Sequence, residues 1–344
     1  MQKKDVLQDV VRHVDVTSFD ARMLVDAFRD MSFQARNLAR AADIFDRMLA
    51  DRGCGVILTL AGSLCSAGLK DAIALMIDEN MVDVVVSTGA NIVDQDFFEA
   101  LGFRHYKGSP HANDQQLRKL AVDRIYDTYI DEDELRVCDM TIAGIAGGLP
   151  ARPHSSREFI TAMGAYLDDK GVESDRSIVH SAYRKGVPIF CPAFSDCSAG
   201  FGLLHHQWHK DAYLTIDSVA DFRELTQIKL ALAETGILMV GGGVPKNFTQ
   251  DVVVATEILG EDRPMHRYAV QITVADERDG ALSGSTLKEA CSWGKVDTSY
   301  EQMVYGEATV LLPLLASDAW HRGSWRERAA RRLNDMFAGI ELRP

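Results

Sequence analysis

The feature of this sequence that most constrains its fold is the recurrence of short, almost wholly apolar runs between stretches with helical spacing. GVILTL (55–60), VDVVVS (82–87), VPIFC (187–191), ILMV (237–240) and YAVQITV (268–274) are rich in β-branched residues and barely alternate with polar ones. Each therefore reads as a strand covered on both faces. Helical patterns run from about Leu69 to Asn80 and around Leu225 to Glu234. Buried strands separated by helices need crossover connections, which predicts an α/β fold: a doubly wound, mostly parallel sheet with helices on both faces. At 344 residues the chain is expected to form a single such domain, 1–344, with helical extensions at both ends. Two stretches fit the pattern less well. Residues 107–134, with SPHANDQQ and then a helical passage ending in the acidic DEDE, read as an excursion from the sheet. Residues 324–337 (SWRERAARRLNDMF) read as a terminal helix whose basic face is solvated or packed at an interface.

Charge narrows the partners. Against 50 acidic residues stand 37 Lys and Arg, a formal charge of −13, which repels phosphate backbones and attracts cations. Nucleic acid is not expected as a partner, and a cationic small molecule is. The opening MQKKDVLQDVVRHVDV mixes charge into every turn, unlike a signal peptide. No apolar run reaches the ~18 residues of a membrane span, so no membrane association and a cytoplasmic location are expected. Cys54, Cys65, Cys138, Cys191, Cys197 and Cys291 form no CxxC pair, which favours reduced structural thiols and no metal site. His205, His206 and His209 lie close together with Cys197 nearby, and His205 and His209, at i and i+4, share a helix face, but the glutamate of an HExxH pattern is missing, so a polar surface helix is the simpler reading.

In a doubly wound sheet ligands bind beyond the carboxyl ends of the strands. The loops there are rich in small residues: AGSLCSAG (61–68), TGAN (88–91) and GGGVPKN (241–247). Each allows close backbone approach near a helix start, which suits a pyrophosphate, although none matches GxGxxG and each also reads as a tight turn. Asp196, after VPIFCPAFS, is placed to accept from a ribose hydroxyl or to cap the next turn. In DGALSGSTLKEACSWGK (279–295), Lys295 follows Trp293 and Gly294. An aromatic wall can desolvate an amine and favour its nucleophilic neutral form, while an exposed, inert lysine is the plain alternative. Glu289 can hold a cation or proton there, or simply be solvated.

From about residue 55 to 315 the chain resembles deoxyhypusine synthase, through SLCSAG, MVDVVVSTGA, GVPIFCPAFSD, ILMVGGGVPKN, DGALSG, EACSWGK and YGEATVLLPLL in that order. The family is similar to the homospermidine synthases. The resemblance implies aminobutyl transfer: a hydride passes from spermidine to NAD, Lys295 takes the butylamine group as an imine, and an acceptor amine receives it before the hydride returns. It implies NAD contacts at Ser63, Leu64, Cys65, Ser66, Thr88, Gly89, Ala90, Asp196, Gly242, Val274, Ala275, Glu307 and Ala308. Amine contacts are implied at Asp94, Asn247, Gly280, Ser283, Glu289 and Trp293, with Lys295 as the nucleophile. It further implies a homotetramer with sites at subunit interfaces. Three positions depart from the family: a histidine becomes Asn247, and two carboxylates become Phe201 and Leu282. Each lost carboxylate removes an ammonium partner worth roughly 1.5–3 kcal/mol. The expected reaction is transfer from spermidine to putrescine, giving homospermidine. Modification of a lysine on a translation initiation factor is the alternative, and a silent NAD- or polyamine-binding scaffold is the third.

Overall fold

The computed structural model describes residues 2–171, 176–278 and 285–338. Its central sheet has six parallel strands: β1 (Cys54–Leu60), β2 (Val84–Ser87), β3 (Ile189–Phe190), β4 (Glu234–Val240), β5 (His266–Thr273) and β6 (Val296–Tyr305). In space they run β6-β5-β4-β1-β2-β3. This is the doubly wound order, in which the direction of winding reverses between β1 and β4.

The reason the strands lack alternation is visible in the packing. Val56, Leu58, Leu60, Val85, Leu238, Val240, Val270 and Ile272 face one side, against α1 (Phe33–Ala50), α2 (Lys70–Asp78) and other helices. Ile57, Val84, Val86 and Phe190 face the other, against Leu225 and Ile228 of the helix Ser218–Ala231. Both faces are dry, so the strands at the centre of the sheet are mostly apolar on both sides. β6 lies at the sheet edge and interrupts its apolar residues with polar ones (VDTSYEQMVY), which is why the apolar-run criterion passes over it.

Several boundaries differ from the sequence reading. The acidic DEDE starts a helix rather than ending one: Asp131 caps α3 (Glu132–Gly148), accepting from the Asp133 and Glu134 N–H groups. The excursion before it holds a short helix, Asp114–Lys119, and a three-stranded antiparallel sheet of Tyr106–Lys107, Val122–Ile125 and Thr128–Asp131. Glu234 begins β4 instead of closing a helix. The histidines lie on or beside α4 (Ser198–Trp208), which is not a plain polar surface helix: it packs on α3, buries His206 and exposes Phe201, Leu204 and Trp208. The C-terminal segment is two 3₁₀ turns, Ser324–Glu327 and Leu333–Phe337, joined by extended chain. Arg328 explains the break: it is buried, bonded to Asp83 at 2.5 Å and to the Asn80 and Cys54 carbonyls. A continuous helix facing water would not deliver that guanidinium to a buried carboxylate.

Candidate cofactor crevice and lysine site

Every described position to which the resemblance assigns a cofactor contact follows the carboxyl end of a central strand. Ser63 to Ser66 follow β1, Thr88 to Ala90 follow β2, Asp196 follows β3, Gly242 follows β4, Val274 and Ala275 follow β5, and Glu307 and Ala308 follow β6. Between the loops after β1 to β4 lies a cavity of ≈ 200 Å³ lined by Ala61, Thr88, Gly89, Asp196, Gly242 and Gly243 among others. It sits where the winding reverses, the position at which such sheets bind nucleotides. A larger groove of ≈ 620 Å³ runs along the edge strand β6 past Arg40 and Tyr300. It lies away from the crevice and contains none of the expected contacts.

The crevice is shaped by missing side chains. A Cβ on Gly89 would meet Cys197 Sγ at 2.4 Å, and Gly241 turns at φ 77° with Ala61 Cβ 2.9 Å from where its own Cβ would stand. Gly242 then starts α5 (Gly243–Gln250), whose first N–H groups have no acceptor within the helix and have no side-chain cap. Small walls, open N–H groups and the exposed Asp196 carboxylate form a donor and acceptor set that fits a dinucleotide. The β1 loop contributes differently than its motif suggests. Leu64, Cys65 and Ser66 are buried, and the Leu64 and Ser66 N–H groups already donate to Asn91 Oδ1 and Gln95 Oε1, both at 2.8 Å. Burial also pushes the Cys65 thiol well up. Val274 is exposed at the rim, and Glu307 caps α8 (Ala308–Arg322) by accepting from Thr309 N–H at 2.8 Å.

Acidic groups gather beside the crevice. Asp94 Oδ1 accepts from the Ser198 N–H at 2.7 Å and so caps α4 from outside. Burial pushes its carboxyl up to about 7, with the charges of Asp139 and Asp196 adding to the effect. Burial likewise raises Asp139, which stands on α3 near Phe201. Sequence reasoning missed Asp139, because only the packing of α3 on α4 brings it beside the position where the family's carboxylate is lost.

The lysine stands elsewhere. Lys295 immediately precedes β6, at its amino end, level with His266. Seven steps along β5, about 23 Å, separate that level from the crevice end of the sheet. One chain therefore does not bring Lys295 together with the cofactor loops. Around Lys295 are Asp251, 2.6 Å from Nζ at the end of α5, and the Trp293 ring, 5.2 Å from Nζ. The indole is two-thirds exposed and presents a face that attracts an ammonium, so it does more than exclude water. Glu289 lies in α7 (Leu287–Ser292) as one half of a capping box with Thr286, and it is exposed. Those bonds hold its carboxyl below the usual range. Lys246, on α5 one residue before the half-buried Asn247, is 1% exposed and donates to the Ser285 carbonyl. Burial pushes it down to about 8; Glu289 opposes and Lys295 adds to the shift. Its lysine was visible in GGGVPK, but nothing local marked it as buried. Asp251 carries no sequence signal at all. Gly280, Leu282 and Ser283 lie outside the described residues.

The deoxyhypusine synthase family model matches residues 23–319. A deoxyhypusine synthase-like protein of Chlorobaculum tepidum is 65% identical over 339 residues, covering 98% of this chain and 97% of its own. The "Probable deoxyhypusine synthase 2" of Methanosarcina mazei is 41% identical over 335 residues, covering 96% and 95%. A solved structure of an Entamoeba histolytica protein assigned as a deoxyhypusine synthase superposes with a TM-score of 0.60 at 18% identity, covering 93% of this chain and 99% of that one, a likeness of fold. Fold, motif order and near full-length similarity agree: the chain belongs to the deoxyhypusine synthase family.

Proposed function

We propose that the protein is a cytoplasmic NAD-dependent aminobutyl transferase that takes the butylamine group of spermidine on Lys295 and hands it to putrescine, giving homospermidine. The observation that carries this reading is the coincidence of the family's cofactor positions with the carboxyl ends of six parallel strands around the winding reversal. NAD, when bound, supplies the hydride acceptor that makes the amine-bearing carbon electrophilic. Gly89 and Gly242 let the backbone approach it, and Asp196 offers an acceptor for a hydroxyl. Asp94 and Asp139, near the exposed Phe201, offer negative charge to the ammonium ends of the polyamine, consistent with the −13 charge of the chain. Because Lys295 and the crevice lie at opposite ends of one sheet, the reading requires an oligomer in which one subunit's lysine serves another's crevice, an arrangement that a homotetramer with sites at its interfaces would supply.

A second reading, modification of a protein lysine, draws on the printed name of the archaeal relative. One experiment separates them. The protein is incubated with NAD and spermidine, with putrescine or a hypusine-type protein acceptor, and the products are identified. Homospermidine as the main product, and borohydride trapping of the butylamine on Lys295, are expected. Efficient protein modification without homospermidine overturns the acceptor assignment. No transfer, with no stabilisation by saturating NAD, overturns the enzyme reading.

A further inference from the structure

Lys295 and Asp251 form a contact whose two halves are fixed by the same buried residue. The Lys295 Nζ lies 2.6 Å from Asp251 Oδ1. Asp251 sits at the junction of α5 and α6 (Val252–Ile258), its N–H bonded to the Asn247 carbonyl and its carbonyl to the Ala255 N–H, both at 2.9 Å. On the other side, the Lys295 N–H donates to the Ala290 carbonyl and its carbonyl accepts from the His266 N–H, both at 3.0 Å. His266 is wholly buried. Its Nε2 is 3.2 Å from the Thr249 carbonyl, two residues before Asp251, and its Nδ1 is 2.8 Å from Thr235 Oγ1.

The proton positions in that chain follow from donor inventory. Lys229, also buried, donates to Thr235 Oγ1 at 2.7 Å and has nothing to accept with. The Thr235 hydroxyl therefore donates to His266 Nδ1, and His266 Nε2–H donates to the Thr249 carbonyl. Burial holds the ring neutral, well below the usual histidine range. One residue, through its backbone N–H and a ring held in a single tautomer, thus ties the backbone that carries the lysine to the backbone that carries the carboxylate. Ordinary surface ion pairs join two freely rotating side chains and contribute little. Here the interior fixes both backbones, the Lys295 side chain is 15% and the Asp251 side chain 42% exposed, and Nζ and Oδ1 stand within proton-transfer distance.

We propose that Asp251 is the proton acceptor for Lys295. The inference rests on the reading of Lys295 as the nucleophile. The ammonium gives one proton to the Asp251 carboxylate. The freed lone pair then forms the C–N bond to an electrophilic carbon, and the π pair of that carbon moves to its heteroatom. For a carbonyl, the oxygen takes the proton back from Asp251, the added nitrogen passes its second proton through the Asp251 carboxylate to that hydroxyl, and water leaves as the nitrogen lone pair forms the protonated imine. For an imine donor the departing amine takes the place of water.

The test uses the intact protein without NAD. Butanal and cyanoborohydride alkylate reactive amines, and peptide mass spectrometry follows Lys295 with the exposed Lys119 as internal reference. Asp251→Ala is expected to slow Lys295 labelling about 10²-fold relative to Lys119. Added acetate should restore the rate in proportion to its concentration, and Asp251→Glu should keep much of it. An unchanged or faster rate in Asp251→Ala overturns the proposal, because the carboxylate then only holds the ammonium. A slow rate that neither acetate nor Asp251→Glu restores also overturns it, in favour of a structural role. Failure of spermidine transfer with acetate rescue intact would sink the transferase reading and leave this one standing.

Discussion

Asp94 illustrates how a single carboxylate couples site chemistry to folding. It is held against the Ser198 N–H beside Asp139 and Asp196, and its carboxyl is pushed up to about 7 chiefly by burial. A raised acid favours the protonated form in the folded state, so the stability it contributes is full below the unfolded value of 3.8 and is lost as pH rises through about 7. Asp94→Asn keeps an oxygen for Ser198 but cannot ionise. Its unfolding midpoint in urea is expected to exceed that of the parent at pH 8 and to vary less between pH 5 and 8. Parallel curves for the two proteins would refute this account. An ammonium bound beside Asp94 would relieve the same penalty, which is a physical reason for a polyamine site to keep such a group.

At the scale of elements, the C-terminal segment behaves as a clamp. Its 3₁₀ turns carry Arg328 into the interior, where Asp83, itself buried just before β2, has it as an ion-pair partner at 2.5 Å. Arg331 adds a longer contact to the same carboxylate at 3.5 Å. Removing one member of a buried pair leaves a charge without compensation and typically costs about 3–5 kcal/mol. Arg328→Ala should lose stability in that range by urea denaturation, whereas the exposed Arg326→Ala should leave it nearly unchanged. Equal small effects would mean that the tail is only draped over the surface. The charge run SWRERAARR gave no hint of this, because solvated and buried arginines look alike in sequence; a buried partner 245 residues away decides between them.

At the scale of the whole molecule, the parallel sheet separates what the motifs place close together. Lys295 and Glu307 flank β6 and so stand at opposite ends of the sheet. If the lysine of one subunit serves the crevice of another, Lys295→Ala and Gly89→Ala should each be inactive alone. Co-expressed, they should regain up to about a quarter of parental activity in random hetero-oligomers, since a working site needs one intact half from each of two subunits. No recovery in verified hetero-oligomers would place the whole site within one subunit. The sequence by itself determined the parallel sheet and the strands β1, β2, β4 and β5, because strands dry on both faces must be continuously apolar. It also marked the small-residue loops, because close backbone approach at a turn demands Gly, Ala or Ser. Only the tertiary structure decided that β6 closes the edge, that the β1 loop spends its N–H groups on Asn91 and Gln95, that Asp139 stands near Phe201, and that Asp251 faces Lys295. Burial and local hydrogen bonding leave a pattern in neighbouring residues, whereas the meeting of distant side chains depends on strand order and crossover, which no local pattern records.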